Sequence, residues 1–471
     1  MRGATRHVTE RTLHQRDLLV NAREEAEHLR LAEIPNVYGF IHIWSLASGG
    51  YDPNMSNQKN TRIMLRAAKD PFRVATPRET LIKNLIGTNT GNLIFSTAAA
   101  KILSTPHQSI SIDVFNPGPE HAERINAEYD HYVIPLANAF RPSFIEHLDR
   151  ISACIERLTI PVTIFGVGAQ AASESDHESI RTLSSSVTRF CRAVLKRSPS
   201  IGVRGEFTAN FLRSLGFSAD EIQVIGCPSA FLTEGISQLP DRVPDLHANS
   251  RLAINLSPEV PGAKEMAEAH RKAYRNLTYI AQNSRDLRLL LDRTFEAPDE
   301  ALKLAPITPG NPLFNVRQST LFLDPYPWIA SMKQQDFSFG TRIHGNIAAL
   351  LAGTPAVVVA HDTRTLELAR YFEIPHVDMS GRQDISRLNA AELAANADYG
   401  PLKRGHEARR AVMTKFLDQH GLAHTSNRNA AAMAFDSTMN ALALPGPVRA
   451  ATHVQAFMRY AKRVIRRRVS R

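Results

Sequence analysis

The sequence predicts an α/β protein made of two Rossmann-like, doubly wound domains that face each other across a cleft. Three observations carry this. From about residue 76, short apolar runs alternate with helical patterns. A stretch with two prolines and little periodicity, Gln238-Leu-Pro-Asp-Arg-Val-Pro-Asp, then interrupts the series. A second series of the same kind follows it. On this reading residues 1–75 are an N-terminal extension, 76–237 the first domain and 250–390 the second. Residues 391–456 are a helical segment and 457–471 a basic tail.

The elements follow in order. The extension opens with a charged helix over about Glu10–Leu31 and a strand at Val37–Ile43. Asn84–Gly87 reads as a short strand, Thr88–Asn92 as a loop and Leu93–Leu103 as a helix. His131–Leu136 is a strand ending near Asn138, and Pro161–Phe165 is a buried strand running into Gly166-Val-Gly168-Ala-Gln170. Ser200–Val203 ends at Arg204, and its helix Glu206–Leu215 stops at Gly216. Gln223–Ile225 closes the first series. The second starts with the strand Leu252–Leu256. A long helical pattern over Ala263–Leu291 follows, with a break near Asn283-Ser284, and Thr320–Leu323 is extended. Asp336–Ala360 then reads as strand, turn, helix, glycine stop and strand. A helix at Thr365–Phe372 and a strand at Pro375–Asp378 end the series.

Composition excludes several classes. With 471 residues, 43% hydrophobic and 22% charged, the chain can bury sizeable cores and needs no disulfide scaffold. Cys154, Cys191 and Cys227 lie far apart with no CxxC spacing, which fits a reducing compartment and argues against a cysteine-ligated metal. His361, Asp362 and His376 do not match metal-ligand spacings, so no metal is expected. Gly166-x-Gly168 lacks the third glycine and the acid of a dinucleotide fingerprint, and no P-loop is present. No run approaches the ~18–20 apolar residues of a membrane span, so a soluble, cytoplasmic protein is expected.

The net charge of +10 is concentrated in one place. Seven basic residues between Arg459 and Arg471, with no acid, leave +3 for the rest. A neutral body argues against nucleic acid as partner. The tail alternates its charges with Phe457, Met458, Ala461, Val464 and Ile465. As a helix it would suit peripheral contact with an anionic membrane surface, and the same residues also read as a solvated terminus.

The chemistry-bearing residues sit at strand ends. Arg342 and His344 fall in the turn between a strand and a helix, where doubly wound sheets place their ligands. Arginine offers a planar fork for phosphate or carboxylate, and histidine moves a proton near neutral pH. Arg204 has the same placement in the first series, so the two arginines would grip a dianionic ligand from both sides. Glu367, near the start of the next helix, is placed to orient His344 or to hold an acceptor hydroxyl. The same position equally suits a glutamate that only favours a helix N-terminus. Asn89, Asn92, Asn138 and Gly168 lie in the other strand-end loops, and Ile343 and Gly345 flank His344.

Phe339-Gly-Thr-Arg342-Ile-His344-Gly-Asn346, Ala348-Ala-Leu-Leu-Ala-Gly353-Thr-Pro355 and Arg364-Thr-x-Glu367-Leu-Ala resemble the C-terminal signature of polysaccharide pyruvyl transferases. Gly202-Val-Arg204-Gly-Glu-Phe-Thr, Gly226-Cys-Pro228, Phe165-Gly-Val-Gly168 and Asn89-Thr-Gly91-Asn92 support the resemblance, which covers roughly residues 80–380. The chain departs from the common pattern in having Asn92 where many members have Asp, and Ala137-Asn138 where many have Gly-Gly. The resemblance implies a fold similar to two-domain GT-B glycosyltransferases. It also implies transfer of a carboxyethylidene group from phosphoenolpyruvate to sugar hydroxyls, forming a ketal. Phosphoenolpyruvate would be the donor substrate with no further cofactor, and the acceptor a saccharide, free or linked to lipid or nucleotide. On this reading His344 protonates the enol carbon while Arg342 and Arg204 hold the donor. A GT-B-type glycosyltransferase using a sugar nucleotide, and a non-catalytic protein acting through its basic tail, are the alternatives.

Overall fold

The computed structural model describes residues 60–294, 308, 310–425, 429–452, 454–456 and 458. Among the described residues two sheets form. The first takes β1 (Thr61–Leu65), β2 (Gln108–Ser111), β3 (His131–Ile134), β4 (Val162–Val167), β5 (Ile201–Val203) and β6 (Ile222–Val224). Their order is β2-β1-β3-β4-β5-β6, parallel throughout. The second takes β7 (Arg251–Asn255), β8 (Asn276–Ala281), β9 (Ser319–Leu321), β10 (Phe337–Gly340), β11 (Ala356–Ala360), β12 (His376–Asp378) and β13 (Val448–Arg449). Its order is β12-β11-β10-β7-β8-β9-β13, parallel except for the antiparallel edge strand β13. Both are doubly wound orders. Strand order reverses at β1/β3 in the first sheet and at β7/β10 in the second, and each reversal leaves a crevice beyond the carboxyl ends of the strands. The α/β class with two Rossmann-like sheets opening on a cleft is the fold of this chain.

The strands are apolar because both of their faces are covered. In β1, Ile63 and Leu65 join one hydrophobic cluster while Met64 joins another, as strand alternation demands. In β11, Ala356, Val358 and Ala360 face one cluster and Val357 and Val359 a third. The first of these clusters lies between the sheets. It takes Ile63 and Leu65 from one and Ala253, Ile280 and Val358 from the other, with the buried helices Gly91–Leu103 and Ile343–Leu351. The two sheets therefore share a central apolar layer. They are also joined at the rim of the cleft. Thr90 N–H donates to the Gln282 carbonyl at 2.8 Å, and Ser284 N–H to the Thr88 carbonyl at 3.1 Å.

Several elements differ from the sequence reading. β1 lies within the stretch assigned to the extension, and β2 falls in a stretch where no strand was expected. Asn84–Gly87 is a run of turns, not a strand: Asn84, Gly87 and Thr88 all have positive φ, and the Asn84 side chain accepts from Thr88 N–H. The long helical pattern of Ala263–Leu291 is two helices, Ala263–Ala273 and Ser284–Asp292, with β8 between them. The expected helix at Glu10–Leu31, the strand at Val37–Ile43 and, apart from Met458, the basic tail lie outside the described residues. No helix among the described residues is long and apolar enough to cross a membrane.

Candidate active site

The carboxyl ends of the strands converge on a cleft of about 460 Å³. Arg66 follows β1, Asn138 and Arg141 follow β3, and Arg204 follows β5. Gln282 follows β8, Arg342 follows β10 and Arg364 follows β11; all of them line it. Five arginines and two histidines, His147 and His344, thus face one space with no carboxylate in its lining. Among the described residues no carboxylate pairs with Arg66, Arg141, Arg204 or Arg342 within ion-pair distance. Arg364 is 3.3 Å from Asp362. A larger depression of about 580 Å³ beside the helix Ala390–Ala395 mixes Arg370 with Glu373, Glu392 and Asp398, and shows no such accumulation of one sign.

The second sheet builds its side of the cleft at the β7/β10 reversal. Gly340 ends β10 at φ +141°, and a Cβ there would lie 2.0 Å from the Asn255 carbonyl oxygen, so only glycine fits. Asn255 then organises the turn. Its carbonyl accepts from Thr341 N–H at 2.8 Å, and its Oδ1 accepts from Arg342 N–H at 3.1 Å. Its Nδ2 donates to Asn346 Oδ1 at 3.0 Å, while Asn346 Nδ2 donates to the Gly340 carbonyl at 2.9 Å. Arg342 Nε donates to the Leu256 carbonyl at 3.1 Å, which aims its guanidinium. Gly345 does not line the cleft. Its missing Cβ makes room for Gln282 Nε2 and Asn255 Cγ, which would otherwise lie at 2.6 and 2.7 Å. Ile343 does line it.

His344 lies in the first turn of the Ile343–Leu351 helix and is buried. Its ring is 5.8 Å from that of Phe95, and its Nε2 is 3.9 Å from Cys227 Sγ. Burial pushes the imidazole well below its usual range, and Arg204 and Arg364 push it further. Its surroundings thus favour the neutral imidazole. Arg204 is buried behind it. Its Nε donates to the Gly166 carbonyl at 3.1 Å and its Nη2 approaches Cys227 Sγ at 3.4 Å. Cys227 therefore joins the two predicted groups, a contact invisible in a sequence that separates them by over a hundred residues.

The other predicted residues divide. Asn89, Asn92 and Asn138 line the cleft, and each also holds its own loop. Asn89 Oδ1 accepts from Gly91 N–H, Asn92 Nδ2 donates to the carbonyls of Ile86 and Gly87, and Asn138 Nδ2 donates to Gln170. Gly168 is outside the lining. A Cβ there would lie 2.9 Å from Glu367 Oε1 and 3.1 Å from Arg204 Cδ, so its role is to admit those side chains. Glu367 neither orients His344 nor lines the cleft. Its carboxyl accepts from Thr208 N–H at 3.1 Å and Thr208 Oγ1 at 2.9 Å. Burial raises it to about 8, against the opposing pull of Thr208 and Arg204. Sequence reasoning missed Arg66, Arg141, Arg364 and Gln282. Arg66 and Gln282 directly follow β1 and β8, strands that the sequence did not reveal, Arg141 lies well past β3, and Arg364 is in the helix after β11, so no local pattern marked them as one set.

Four buried donors in this lining have no partner: Arg66 Nε, Arg204 Nη1, Gln282 Nε2 and Arg364 Nε. Orphaned buried donors are costly, and an anion in the cleft would satisfy them. Among the described residues no three His, Cys, Asp or Glu side chains converge as a metal site requires.

Comparison with known proteins places this chain in a family. The family described as polysaccharide pyruvyl transferase matches residues 89–363. A search of curated proteins found no match. Among solved structures, the chain is similar to UDP-GlcNAc 2-epimerase from Methanocaldococcus jannaschii at 11% identity and a TM-score of 0.41, covering 75% of this chain and 99% of that one. The UDP-N-acetylglucosamine 2-epimerase of Rickettsia bellii gives 11% identity and 0.37, covering 76% and 95%. A wall teichoic acid polymerase gives 10% and 0.31, covering 81% and 88%. The family match takes in more than half of the chain, with Arg204, Arg342 and His344 inside it, and the chain belongs to the polysaccharide pyruvyl transferase family.

Proposed function

We propose that this protein moves a carboxyethylidene group from phosphoenolpyruvate to two hydroxyls of a saccharide, giving a pyruvate ketal and inorganic phosphate. The observation that carries the reading is the carboxylate-free cleft with its unpartnered buried donors. Phosphoenolpyruvate brings a carboxylate and a phosphate, and guanidinium forks match both. Arg204 and Arg342 hold the donor from the two sheets. Gln282 and Arg364 add donors at its edge.

Transfer begins with a proton on the methylene carbon, which leaves the neighbouring carbon electron-poor. A sugar hydroxyl adds there and loses its proton. The C–O bond to phosphate breaks, the phosphate taking the bonding pair, and the second hydroxyl closes the ketal. Of the two hydroxyl protons released, one replaces the proton given to carbon and one leaves with phosphate. His344, which lines the cleft beside Arg204, is the proton carrier of this reading. It is neutral in the empty site, and the negative charge of the donor offsets Arg204 and Arg364 and raises its proton affinity. The donor thus favours the charged imidazole, and the arginines stabilise the departing phosphate.

Titration of phosphoenolpyruvate into the purified protein by calorimetry tests the reading, with Arg342→Ala as control. Saturable binding lost in the variant is expected, with proton uptake seen as a heat that depends on the ionisation enthalpy of the buffer. A protein that ignores phosphoenolpyruvate, with or without saccharide, and binds a sugar nucleotide is instead a glycosyltransferase.

A further inference from the structure

The cleft holds more cation than one phosphoenolpyruvate needs, and its cations fall into two groups. Arg204 and His344 gather round Phe95, each 5.8 Å from its ring, with Cys227 between them. Arg66 and Arg141 gather round Phe144, at 5.9 and 5.2 Å, and Arg66 also lies 4.3 Å from the Phe115 ring. The second group stands at the β1/β3 reversal, the first sheet's own place for a ligand. Arg66 is only 4% exposed. Its Nη1 donates to the Pro135 carbonyl at 3.3 Å and its Nη2 to Asn116 Oδ1 at 2.7 Å, which leaves Nε buried and unpaired. Arg141 donates to Ser143 Oγ and to the Asn138 carbonyl. Neither meets a carboxylate among the described residues. Burial holds both guanidinia down at about 10, and Arg141 beside Arg66 and Arg364 beside Arg141 add to this. A buried arginine with an open donor, beside a half-buried second arginine, is a receptor for an anion, and the flanking phenyl rings offer apolar faces to a sugar.

We propose that Arg66 and Arg141, with Asn116 and His147, form a second anion subsite that takes a phosphate group carried by the saccharide acceptor. The proposal rests on the pyruvyl-transfer reading for the word acceptor; the subsite itself stands on the geometry alone. The phosphate belongs to a sugar phosphate or to the diphosphate joining a sugar to its carrier, and the phenyl rings of Phe115 and Phe144 lie against the sugar next to it. The acceptor is thereby a small phosphorylated precursor. A neutral polymer would leave Arg66 Nε orphaned.

The test is calorimetric, on the full chain saturated with phosphoenolpyruvate and on the chain without it. The probes are glucose 1-phosphate, inorganic pyrophosphate and, as neutral control, glucose. One phosphate probe should bind per chain alongside phosphoenolpyruvate. Arg66→Gln and Arg141→Gln should weaken it roughly ten- to hundredfold while phosphoenolpyruvate affinity stays within about twofold, which also reports that the variants fold. Tighter binding of pyrophosphate points to the diphosphate source, and tighter binding of glucose 1-phosphate to the sugar phosphate. One-for-one displacement of phosphoenolpyruvate by the probe, or full probe affinity in both variants, overturns the subsite. A wild-type chain that binds the probe through Arg66 but never binds phosphoenolpyruvate sinks the pyruvyl-transfer reading and leaves the subsite standing.

Discussion

At the β7/β10 reversal, Arg342 is held through its backbone by Asn255 and through Nε by the Leu256 carbonyl, inside a closed set of amides. At the β1/β3 reversal, Arg66 lies between phenyl rings and donates to the Pro135 carbonyl and one asparagine, with a donor left open. The first arrangement fixes a guanidinium, as the proposed reaction requires of the group that holds its donor. The second sets charge against apolar faces, which suits grip on a substrate more than alignment of a reaction. One topology repeated twice has thus been finished in two ways, and the contrast can be broken by substitution.

The largest effect is expected at His344. His344→Ala should lower kcat by ~10²–10⁴ and change phosphoenolpyruvate affinity far less, because a proton carrier acts mainly in the transition state. Turnover that survives in the alanine variant removes His344 from the chemistry. Arg342→Ala should act on binding instead. Losing a buried charge partner costs about 2–4 kcal/mol, so affinity for phosphoenolpyruvate should fall by ~30- to 10³-fold. If Arg66→Gln does the same, the two reversals are not divided between donor and acceptor.

Gly345→Ala probes the amide set itself. The added carbon would press on Gln282 Nε2 and Asn255 Cγ at 2.6 and 2.7 Å. Overpacking of this kind costs ~1–3 kcal/mol. A lower Tm with a parallel loss of phosphoenolpyruvate affinity is expected, since Asn255 positions the backbone of Arg342. An unchanged Tm would mean that the cluster gives way without cost.

The same contrast explains what could be read from the sequence. Arg342, His344, Gly345 and Asn346 lie within one turn and one helix start, so a contiguous pattern exposed them together. Arg66, Asn116 and Arg141 come from three separate loops, and only the strand order brings them into one place. β1 and β2 were missed because each is short: Ile63-Met-Leu65 supplies three apolar residues, and Gln108-Ser-Ile-Ser alternates over only four positions. β8 was hidden because Leu277, Tyr279 and Ile280 continue the apolar spacing of the helices on either side. Asn84–Gly87 looked extended because Leu85 and Ile86 are apolar, but positive φ on both sides of them turns the chain. Glu367 was expected to orient His344 or to hold an acceptor hydroxyl, but its partner is Thr208, 159 residues away, and no spacing rule reaches that far.

The last effect is on the pH dependence of stability, and it concerns Glu367, which lies behind the cleft between the two sheets. Burial raises its carboxyl from the ordinary 4.5 to about 8, while Thr208 and Arg204 oppose the rise and Asp362 adds to it. Between those two values the folded protein keeps a proton that the unfolded chain releases. Stability contributed by this group is therefore full below about pH 4.5, falls as the pH climbs, and levels off above about pH 8. Glu367→Gln has no proton to lose, so the Tm of the variant should gain on that of the parent from about pH 5 to about pH 8 and then run parallel to it. The size is on the order of a few kcal/mol at most. His344 works in the opposite sense: its depressed affinity for protons costs stability as the pH drops below 6.5. Both proteins carry His344, so the difference between their Tm curves isolates Glu367. A flat difference would mean that Thr208 and Arg204 keep the carboxylate ionised. The charge behind Arg204 would then belong to the resting site, and the grip of Arg204 on an anion would be correspondingly weaker.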